Sequence, residues 1–469
     1  MPDPNLAPAP SRWPLKCLPF LPLIGGLGLS LLYWPGLMTW DSIRQYDQAL
    51  SGHFDDWHPP MMEWVWRGMT VLWPGPAPML ILQLGLYSAG IAGLAIWALR
   101  RARPGLATAL CASTLLPLPA ALMGEVIKDS QMTAALMLAA ALALLSAGGR
   151  PRWMRIVAVL LGVFAATLRF NAFPAVVPIL LVAAGPWIRA SRLRMAATAL
   201  VSSLALLAVM PLTNKLLHAE RSDVELSLVI FDLAGITRHT GIDVFPPLTE
   251  DDSAQTLSRC YSPVKWDTFS WWVEPLCPID FYQIQEVFQQ HGGSPYVYLA
   301  GQIVRHPVAY AEHRLEHWNI ATRFIVPNDI ERPLPRAGAP NSWGYKVGGG
   351  PLFDALDRAA VAYGRGPPGW PWCSIALTLG LLVAARGLPS ALAIRMLAGS
   401  GLLYALSYLL VSVAAELRYY LWTMLTTVLA SAILCSDLLR VSVRQRWQAG
   451  LMAIAPLAIG ALAVIAAQV

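Results

Sequence analysis

Charged side chains are scarce in this chain. Asp, Glu, Lys and Arg make up 13% of its 469 residues, whereas hydrophobic residues make up 56%. A soluble domain usually carries about 25% charged residues, so the composition excludes an ordinary soluble protein. The net charge is +6, but the arginines lie in short clusters between apolar runs, and no basic and aromatic pattern typical of nucleic-acid binding is present. These features predict a polytopic membrane protein with no nucleic-acid partner.

The chain also lacks an obvious cleavable leader, an internal repeat and a low-complexity tract. Its first apolar run, roughly residues 17–38, reaches about 20 residues, which is enough to cross a bilayer. A signal peptide has a shorter apolar core and a small-residue cleavage site. We therefore expect an uncleaved first span with the N-terminus in the cytoplasm.

Eleven apolar runs are long enough to suggest an all-α fold of about 11 transmembrane helices. They lie near residues 17–38, 78–99, 106–123, 130–147, 154–169, 172–188, 196–213, 370–386, 390–413, 417–436 and 448–467. Arginine clusters follow the even-numbered runs, and the positive-inside rule assigns that side to the cytoplasm. Residues 59–73 are too short to span and carry Glu63 and Arg67, so they predict a juxtamembrane or half-inserted helix on the outer side.

This topology divides the chain into three parts. We expect residues 1–213 to form an N-terminal transmembrane module, in which residues 38–77 are the first outer loop. Residues 214–369 form an extracytoplasmic loop domain, and residues 370–469 form the C-terminal transmembrane helices. Within the loop domain, "DFYQIQEVFQQH" and "YAEHRLEHWNIATRF" are typical of helices.

Cysteine is also sparse, with six residues in the chain. Four of them lie in or beside predicted spans. Cys260 and Cys277 share the extracytoplasmic loop domain, residues 214–369, which we call the outer segment. A disulfide between these two fits an oxidising periplasm or cell exterior. The alternative is a pair of unpaired thiols.

Ionisable groups gather at the outer ends of the predicted spans, where both signs recur. They are Asp41, Arg44, Asp47, Glu125, Lys128, Asp129, Arg169, Glu416 and Arg418, accompanied by Asn171, Tyr419 and Tyr420. One interpretation is interfacial anchoring, in which Arg and Tyr reach the headgroups. The other is a functional site, because charges at membrane depth are costly. Cations there can bind a lipid phosphate, and a carboxylate beside them can accept a proton from an attacking hydroxyl.

The loop "TWDSIRQYDQALSGHFDDWHPPMMEW", residues 39–64, makes the second interpretation more specific. Its order of Asp41, Tyr46, Ala49 and Gly52 followed by His-Pro-Pro at 58–60 resembles the first outer loop of the GT-C superfamily. Members of that superfamily are membrane-embedded glycosyltransferases that use polyprenyl-phosphate sugars. "EVIKDS", "LRFNAFP" and "ELRYYLW" resemble its other outer turns. The resemblance covers roughly residues 15–213 and 370–436.

The resemblance implies roles for particular residues. Asp41 is the implied catalytic carboxylate, and Asp55, Asp56 and His58 are secondary candidates. For those three the alternative is a turn followed by a helix start, since Pro suits the first helical turn. The implied phosphate-binding cations are Lys128, Arg169 and Arg418. Acceptor-side candidates are Arg44, Asp55, Glu125 and Tyr419. The resemblance allows Asp129 a catalytic role in orienting the acceptor, a pairing with Lys128, or a metal ligand.

The resemblance also implies partners and a location. The donor is a polyprenyl-phosphate-linked sugar, the acceptor is a glycan, lipid or protein, and membrane lipids surround the helices. Some members require a divalent ion and others do not. The second outer loop lacks a clear Asp-x-Asp, so no cofactor is firmly expected and Mg²⁺ or Mn²⁺ is the alternative. We expect a multi-pass protein of a bacterial inner membrane with its active site facing the periplasm.

Two other functions compete with a glycosyltransferase. A ligase or polymerase of lipid-linked polysaccharide also has many spans, a large outer loop and catalytic arginines, but the early Asp and the His-Pro-Pro loop argue against it. A multi-span transporter needs polar groups near span midpoints and broken helices in paired halves. The polar groups here lie at span ends, and no halves repeat.

Overall fold

The computed structural model describes residues 13–148, 151–247, 258–273, 277, 279–291, 293–326, 335 and 337–467. The fold is all-helical, with 74% of residues in helix and no strand among the described residues. Isolated backbone bridges join Leu37 to Glu125, Asp55 to Glu220 and Lys265 to Ala414. The predicted all-α class is confirmed.

The described helices follow one another along the chain. They are α1 (Trp13–Cys17), α2 (Phe20–Leu32), α3 (Trp40–Ser51), α4 (Met61–Thr70), α5 (Ala77–Leu99), α6 (Pro104–Ala112), α7 (Pro117–Leu122), α8 (Lys128–Ser146), α9 (Arg152–Leu168), α10 (Phe173–Ala183), α11 (Pro186–Arg189), α12 (Arg192–Leu216), α13 (Glu225–Thr240), α14 (Phe281–His291), α15 (Pro295–Arg305), α16 (Pro307–Thr322), α17 (Pro351–Arg365), α18 (Pro371–Ala384), α19 (Ala391–Val411), α20 (Leu421–Leu438) and α21 (Val443–Ala466). Short 3₁₀ turns cover Ser113–Leu115, Trp266–Phe269, Pro367–Gly369 and Leu417–Tyr420.

Proline sets many of the helix starts. Helices α6, α7, α11, α15, α16, α17 and α18 each begin at a proline. The first helical position has no intrahelical partner for its N–H, so a proline there loses no hydrogen bond. The fixed φ of proline also favours the helical conformation.

Among the described residues, six helices are long and apolar enough to cross a membrane. They are Ala77–Leu99, Lys128–Ser146, Arg192–Leu216, Ala391–Val411, Leu417–Leu438 and Val443–Ala466. Helices α12 and α21 carry exposed leucine, isoleucine and valine side chains along their lengths. Such extended apolar surfaces are unfavourable in water but favourable in the hydrocarbon core of a membrane. These helices are compatible with a multi-pass membrane protein.

The predicted count of about 11 spans is not confirmed. Each predicted run contains a helix, but several helices are shorter than a bilayer requires. Helix α2 has 13 residues, about 20 Å at 1.5 Å per residue. The run 106–123 is broken into α6, a 3₁₀ turn and α7, since Pro117 cannot continue a helix from the preceding turn. The run 172–188 divides between α10 and α11.

The outer segment has a buried core of its own. Helices α13, α14, α15 and α16 contribute Ile230, Phe231, Ile284, Leu299 and other apolar side chains to it. The two stretches predicted as helices are present as α14 and α16. The predicted disulfide between Cys260 and Cys277 is confirmed, with Cα atoms 5.8 Å apart. By contrast, α17 packs on α7 and belongs with the core of the membrane helices.

The arginine clusters lie at one end of the helices. Arg103 forms a buried ion pair with Asp437, and Arg440 donates to the carbonyl of Ala102 over 2.9 Å. Arg155 donates to the carbonyl of Ser146, the last residue of α8. Because α8 has 19 residues and is about 28 Å long, its first residue lies at the opposite end.

Candidate functional site

The predicted catalytic Asp41 lies in the first turn of α3, whose N-terminus is closed by a capping box. The hydroxyl of Thr39 accepts from the backbone N–H of Ser42, and the hydroxyl of Ser42 accepts from the backbone N–H of Thr39. This reciprocal pair satisfies two N–H groups that a helix leaves without partners. It thereby fixes where α3 starts and where Asp41 points.

The C-terminus of α3 explains other residues of the loop pattern. Gly52 ends the helix in the left-handed conformation, with φ +78°, which glycine adopts at little cost. A Cβ there would also meet the Arg67 guanidinium at 2.8 Å. Arg67 donates to the carbonyls of Ala49 and Leu50, in the last turn of the helix. Gly52 leaves room for the Arg67 guanidinium, whose bonds to the end of α3 hold this helix against α4.

Tyr46 fixes the middle of α3. Its side chain is buried, and its hydroxyl accepts from the backbone N–H of Gly75 over 2.8 Å. Its ring packs against Trp66 and Trp343, with centroids 5.0 and 4.8 Å away. The pattern residue Tyr46 is therefore part of the support that positions Asp41.

Asp41 forms an ion pair with Arg418 across the interface between the first loop and the start of α20. Arg418 Nη1 lies 3.0 Å from Asp41 Oδ2, and the same guanidinium donates through Nε to Glu416. Burial opposes ionisation of Asp41, but Arg418, His58 and Lys128 outweigh it and hold the pKa of this carboxyl well below its usual range. Asp41 is therefore a carboxylate at neutral pH.

His58 and Lys128 extend this pair. Lys128, the first residue of α8, lies with Nζ 2.5 Å from His58 Nδ1, while His58 Nε2 lies 3.8 Å from Asp41 Oδ1. Burial and the neighbouring Lys128 lower the pKa of His58 well below its usual value. A neutral imidazole that accepts from Lys128 at Nδ1 carries its proton on Nε2, on the side of Asp41.

Asp129 and Arg169 form a second ion pair in the same region. Arg169 directly follows α9, and its guanidinium lies 4.3 Å from the ring centroid of Tyr419 and 5.5 Å from that of Tyr408. The two tyrosine rings stack in parallel with centroids 5.0 Å apart. Arg418 lies 5.7 Å from the same Tyr419 ring, so Tyr419 stands between the two arginines.

A cavity of about 1040 Å³ opens beside these charged residues. We call them the ionic cluster: Asp41, His58, Lys128, Asp129, Arg169, Glu416 and Arg418. Its described lining residues are Thr39, Trp40, Asp41, Arg44, Trp57, His58, Leu122, Glu125, Asp267, Trp271, Trp272, Arg323, Pro335, Ala415, Glu416, Leu417 and Arg418. Of the predicted site residues, Asp41, Arg44, His58, Glu125 and Arg418 line it directly. Three others, Lys128, Asp129 and Arg169, belong to the ionic cluster, and Tyr419 packs on Arg169 and Arg418. These four are not among the described residues that line the cavity.

Asp55 and Asp56 have other partners. Asp55 pairs with Arg44 at 2.5 Å and accepts from the backbone N–H of Trp57. Asp56 Oδ1 accepts from both the backbone N–H and the hydroxyl of Ser222. These bonds join the first loop to the outer segment and shape the turn before His58.

Glu125 is buried at the base of the cavity. Burial, partly offset by Arg418, raises the pKa of Glu125 to about 8, so this carboxyl is protonated at neutral pH. Its neighbour Gly124 is required by close packing, because a Cβ there would lie 2.2 Å from the ring of Tyr33. Leu37 donates to the carbonyl of Gly124, which holds the entrance to the first loop against this turn.

Several cavity residues do not follow from the loop pattern. Glu416 is a charge at a predicted span end, but the resemblance implies no site role for it. The sequence patterns also predict no site role for four tryptophans of the cavity, Trp40, Trp57, Trp271 and Trp272. The adjacent tryptophans in "SWWVEP" were a signal, because paired large aromatics are unusual in a polar outer segment.

Within the described part of the chain, no group of three or more His, Cys, Asp or Glu side chains is arranged to hold a metal ion. The predicted metal candidate, Asp129, is instead paired with Arg169.

No protein-family model matches the chain, and a search of curated proteins finds no significant match.

Proposed function

We propose that this chain is an integral-membrane glycosyltransferase that moves a sugar from a polyprenyl-phosphate donor to an acceptor hydroxyl. The observation that carries the proposal is the Asp41–Arg418 pair, which lies on the wall of a large cavity beside two further cations. Asp41 supplies a base, and Arg418, Lys128 and Arg169 supply the positive charge that a departing phosphate requires.

The phosphate-binding role is best suited to Arg418. Its planar guanidinium presents several donors in a fixed fork, which matches the geometry of a phosphate. In the structure Nε and Nη1 of this fork are directed at Glu416 and Asp41. A donor phosphate carries the same kind of acceptor oxygens, so it can replace Asp41 at the guanidinium.

This exchange links donor binding to activation of the base. While Arg418 holds Asp41, the pKa of Asp41 is low and the carboxylate is a weak base. Once the singly charged phosphodiester of the donor occupies Arg418, its negative charge opposes that of Asp41. The pKa of Asp41 then rises toward the operating pH, which improves general-base catalysis. Donor binding would thus precede proton abstraction.

The transfer is a single displacement at the anomeric carbon. The acceptor oxygen forms the new bond to this carbon while the bond to the phosphate oxygen breaks. The acceptor proton passes to Asp41, and the bonding electron pair leaves with the polyprenyl phosphate. Arg418 and Lys128 stabilise the additional negative charge. One displacement inverts the anomeric configuration.

His58 positions Asp41 rather than reacting. Lys128 holds the ring through Nδ1, and Nε2 faces Asp41 from 3.8 Å. That separation is too long for a hydrogen bond. A shift of a few tenths of an ångström would allow Nε2–H to steady the carboxylate after Arg418 is taken by phosphate.

The position of the cluster supports an enzyme over a transporter. Lys128, Arg169 and Arg418 all lie at helix ends, whereas transporter sites lie near the bilayer midplane between broken helices. The opposite end carries the arginine clusters, which the positive-inside rule assigns to the cytoplasm. We therefore place the site on the extracytoplasmic face of a bacterial inner membrane.

The test is an activity measurement on the purified full chain in liposomes. Polyprenyl-phosphate sugars bearing glucose, mannose, galactose or arabinose are supplied one at a time, and release of polyprenyl phosphate is followed with an extract of envelope glycans as acceptor. We expect consumption of one donor, and loss of most activity in Arg418→Lys, which cannot bind a phosphate with two donors in fixed geometry. Arg221→Lys is the matched control, because Arg221 is exposed and pairs with Glu225 in the outer segment.

Consumption of none of the donors would contradict the proposal. Equal activity in Arg418→Lys and Arg221→Lys would contradict the role of Arg418.

A further inference from the structure

Three tryptophans line the same cavity as Asp41 and Arg418. Trp271 and Trp272 come from the outer segment and Trp57 from the first loop, and all three line the cavity. We call them the tryptophan wall. Trp271 and Trp272 have ring centroids 4.5 Å apart at an interplanar angle of 81°. Trp57 lies 5.5 Å from Trp271 at 69°. The rings thus form a corner rather than a flat stack.

The tryptophan wall is incompletely buried. Trp272 is 47% exposed, and Trp57 and Trp271 are half-buried. The neighbouring Trp266 and Phe269 are buried in the core of the outer segment. Packing therefore accounts for Trp266 and Phe269 and leaves much of Trp272 facing the cavity. An open aromatic surface in a cavity that also holds a few charged groups is typical of a ligand site.

The wall is fixed relative to Arg418. The backbone N–H of Trp266 donates to the carbonyl of Val413, and that of Ala415 donates to the carbonyl of Val264, each over 2.9 Å. Residues 413–415 directly precede Glu416 and Arg418. The disulfide between Cys260 and Cys277 encloses the segment that carries Trp271 and Trp272. The wall and the phosphate-binding side are therefore held at one spacing.

A carboxylate accompanies the wall. Asp267 lies in the 3₁₀ turn Trp266–Phe269 and lines the same cavity. A sugar ring presents an apolar C–H face and a rim of hydroxyls. An indole ring covers the C–H face, since aromatic rings bury large apolar area. A carboxylate accepts hydrogen bonds from two hydroxyls. A prenyl chain would gain nothing from Asp267 or from Arg44 beside Trp57.

The geometry points to an acceptor-saccharide subsite formed by the tryptophan wall and Asp267, in the cavity that Asp41 and Arg418 also line. This inference rests on the proposed glycosyltransferase function and gives its acceptor a chemical class. A saccharide ring against the wall would place its hydroxyls toward Asp41, where one of them loses its proton. The acceptor is accordingly a glycan, free or carried on another molecule.

The experiment measures saccharide binding without any donor. Methyl glycosides and disaccharides of glucose, galactose, mannose and arabinose are added to the full chain in nanodiscs, and saturation-transfer NMR records contact with their ring protons. We expect transfer to at least one saccharide, and an affinity about 10-fold or more weaker in Trp271→Ala/Trp272→Ala. Trp187→Ala is the matched control, because Trp187 is exposed and stacks on Arg194 at the opposite end.

Asp267→Asn provides a second variant that keeps the aromatic corner. We expect it to weaken saccharide binding while farnesyl phosphate, measured in the same samples, binds as in the wild type. Farnesyl phosphate reports on the proposed donor site, so the two proposals fail separately. The inference is overturned if no saccharide shows transfer, if the double tryptophan variant binds saccharides normally, or if that variant loses only farnesyl phosphate.

Discussion

Replacing Asp41 by Asn separates catalysis from donor binding, because the structure gives Asp41 opposite effects on the two. Asp41 is the proposed base, so its loss should slow transfer by about 10²–10⁴-fold, the usual contribution of positioned acid–base catalysis. This factor corresponds to about 3–5 kcal/mol of activation free energy. The Asn side chain has nearly the same shape, so the fold should persist.

Donor binding should change in the other direction. A donor phosphate must first displace Asp41 from Arg418, which are 3.0 Å apart. The side chains of Arg418 and Asp41 are only 16% and 26% exposed, so their pair should contribute at least the about 0.2–1 kcal/mol of an ion pair open to water. Asp41→Asn removes this competition, so farnesyl phosphate should bind at least roughly 1.4–5-fold more tightly. Isothermal titration of the protein in nanodiscs measures this affinity, and donor consumption measures the rate.

Asp47→Asn is the matched control for this variant. Asp47 lies on the same helix, one and a half turns further along, and its side chain is exposed. It should leave both the rate and the affinity unchanged. The reasoning is refuted if Asp41→Asn transfers sugar at a near-normal rate. It is also refuted if that variant binds farnesyl phosphate more weakly than the wild type, because Asp41 would then assist donor binding rather than compete with it.

Three further predictions follow from particular contacts. Reducing the disulfide between Cys260 and Cys277, which lie 17 residues apart, should cost the outer segment about 3 kcal/mol of stability; unchanged protease resistance of this segment would contradict it. Burial raises the pKa of Glu63 to about 8, above its value of about 4.3 in an unfolded chain. The folded state then holds the extra proton, so the free energy of unfolding falls as pH rises from about 4 through 8. Glu63→Gln should reduce the loss of Tm between pH 6 and pH 8.5, and an unaltered loss would show that Glu63 is ionised. A cysteine placed at residue 51 should react with an impermeant thiol reagent on intact cells, whereas one at residue 191 should not; labelling at 191 would invert the proposed orientation.

The first loop was the most predictable part of the site. Asp41 and His58 are separated by a pattern whose intermediate residues, Tyr46 and Gly52, turn out to be packing and capping positions. Such a pattern is visible in sequence because it is local. The side chains of Lys128, Arg169 and Arg418 could be placed at the same end because helices alternate in direction, but their individual partners could not.

One error of prediction is local: the apolar run 106–123 predicts one span, yet Pro117 divides it into short helices. Two other features depend on packing that the sequence does not display. Trp266 and Trp272 are the same residue type in the same segment, so the sequence does not distinguish them. The fold buries Trp266 and leaves Trp272 facing the cavity. The low pKa of Asp41 likewise depends on Arg418, which lies far along the chain. Each of these two was set by contacts between distant segments.

The most direct test of the account is a cryo-electron-microscopy structure of the full chain with a non-hydrolysable polyprenyl-phosphonate sugar. The exchange mechanism predicts that phosphonate oxygens lie about 2.7–2.9 Å from the Arg418 guanidinium. It also predicts that Asp41 has left Arg418 and faces the anomeric carbon from the acceptor side. A phosphonate bound elsewhere, with the Asp41–Arg418 pair intact, would contradict the central claim.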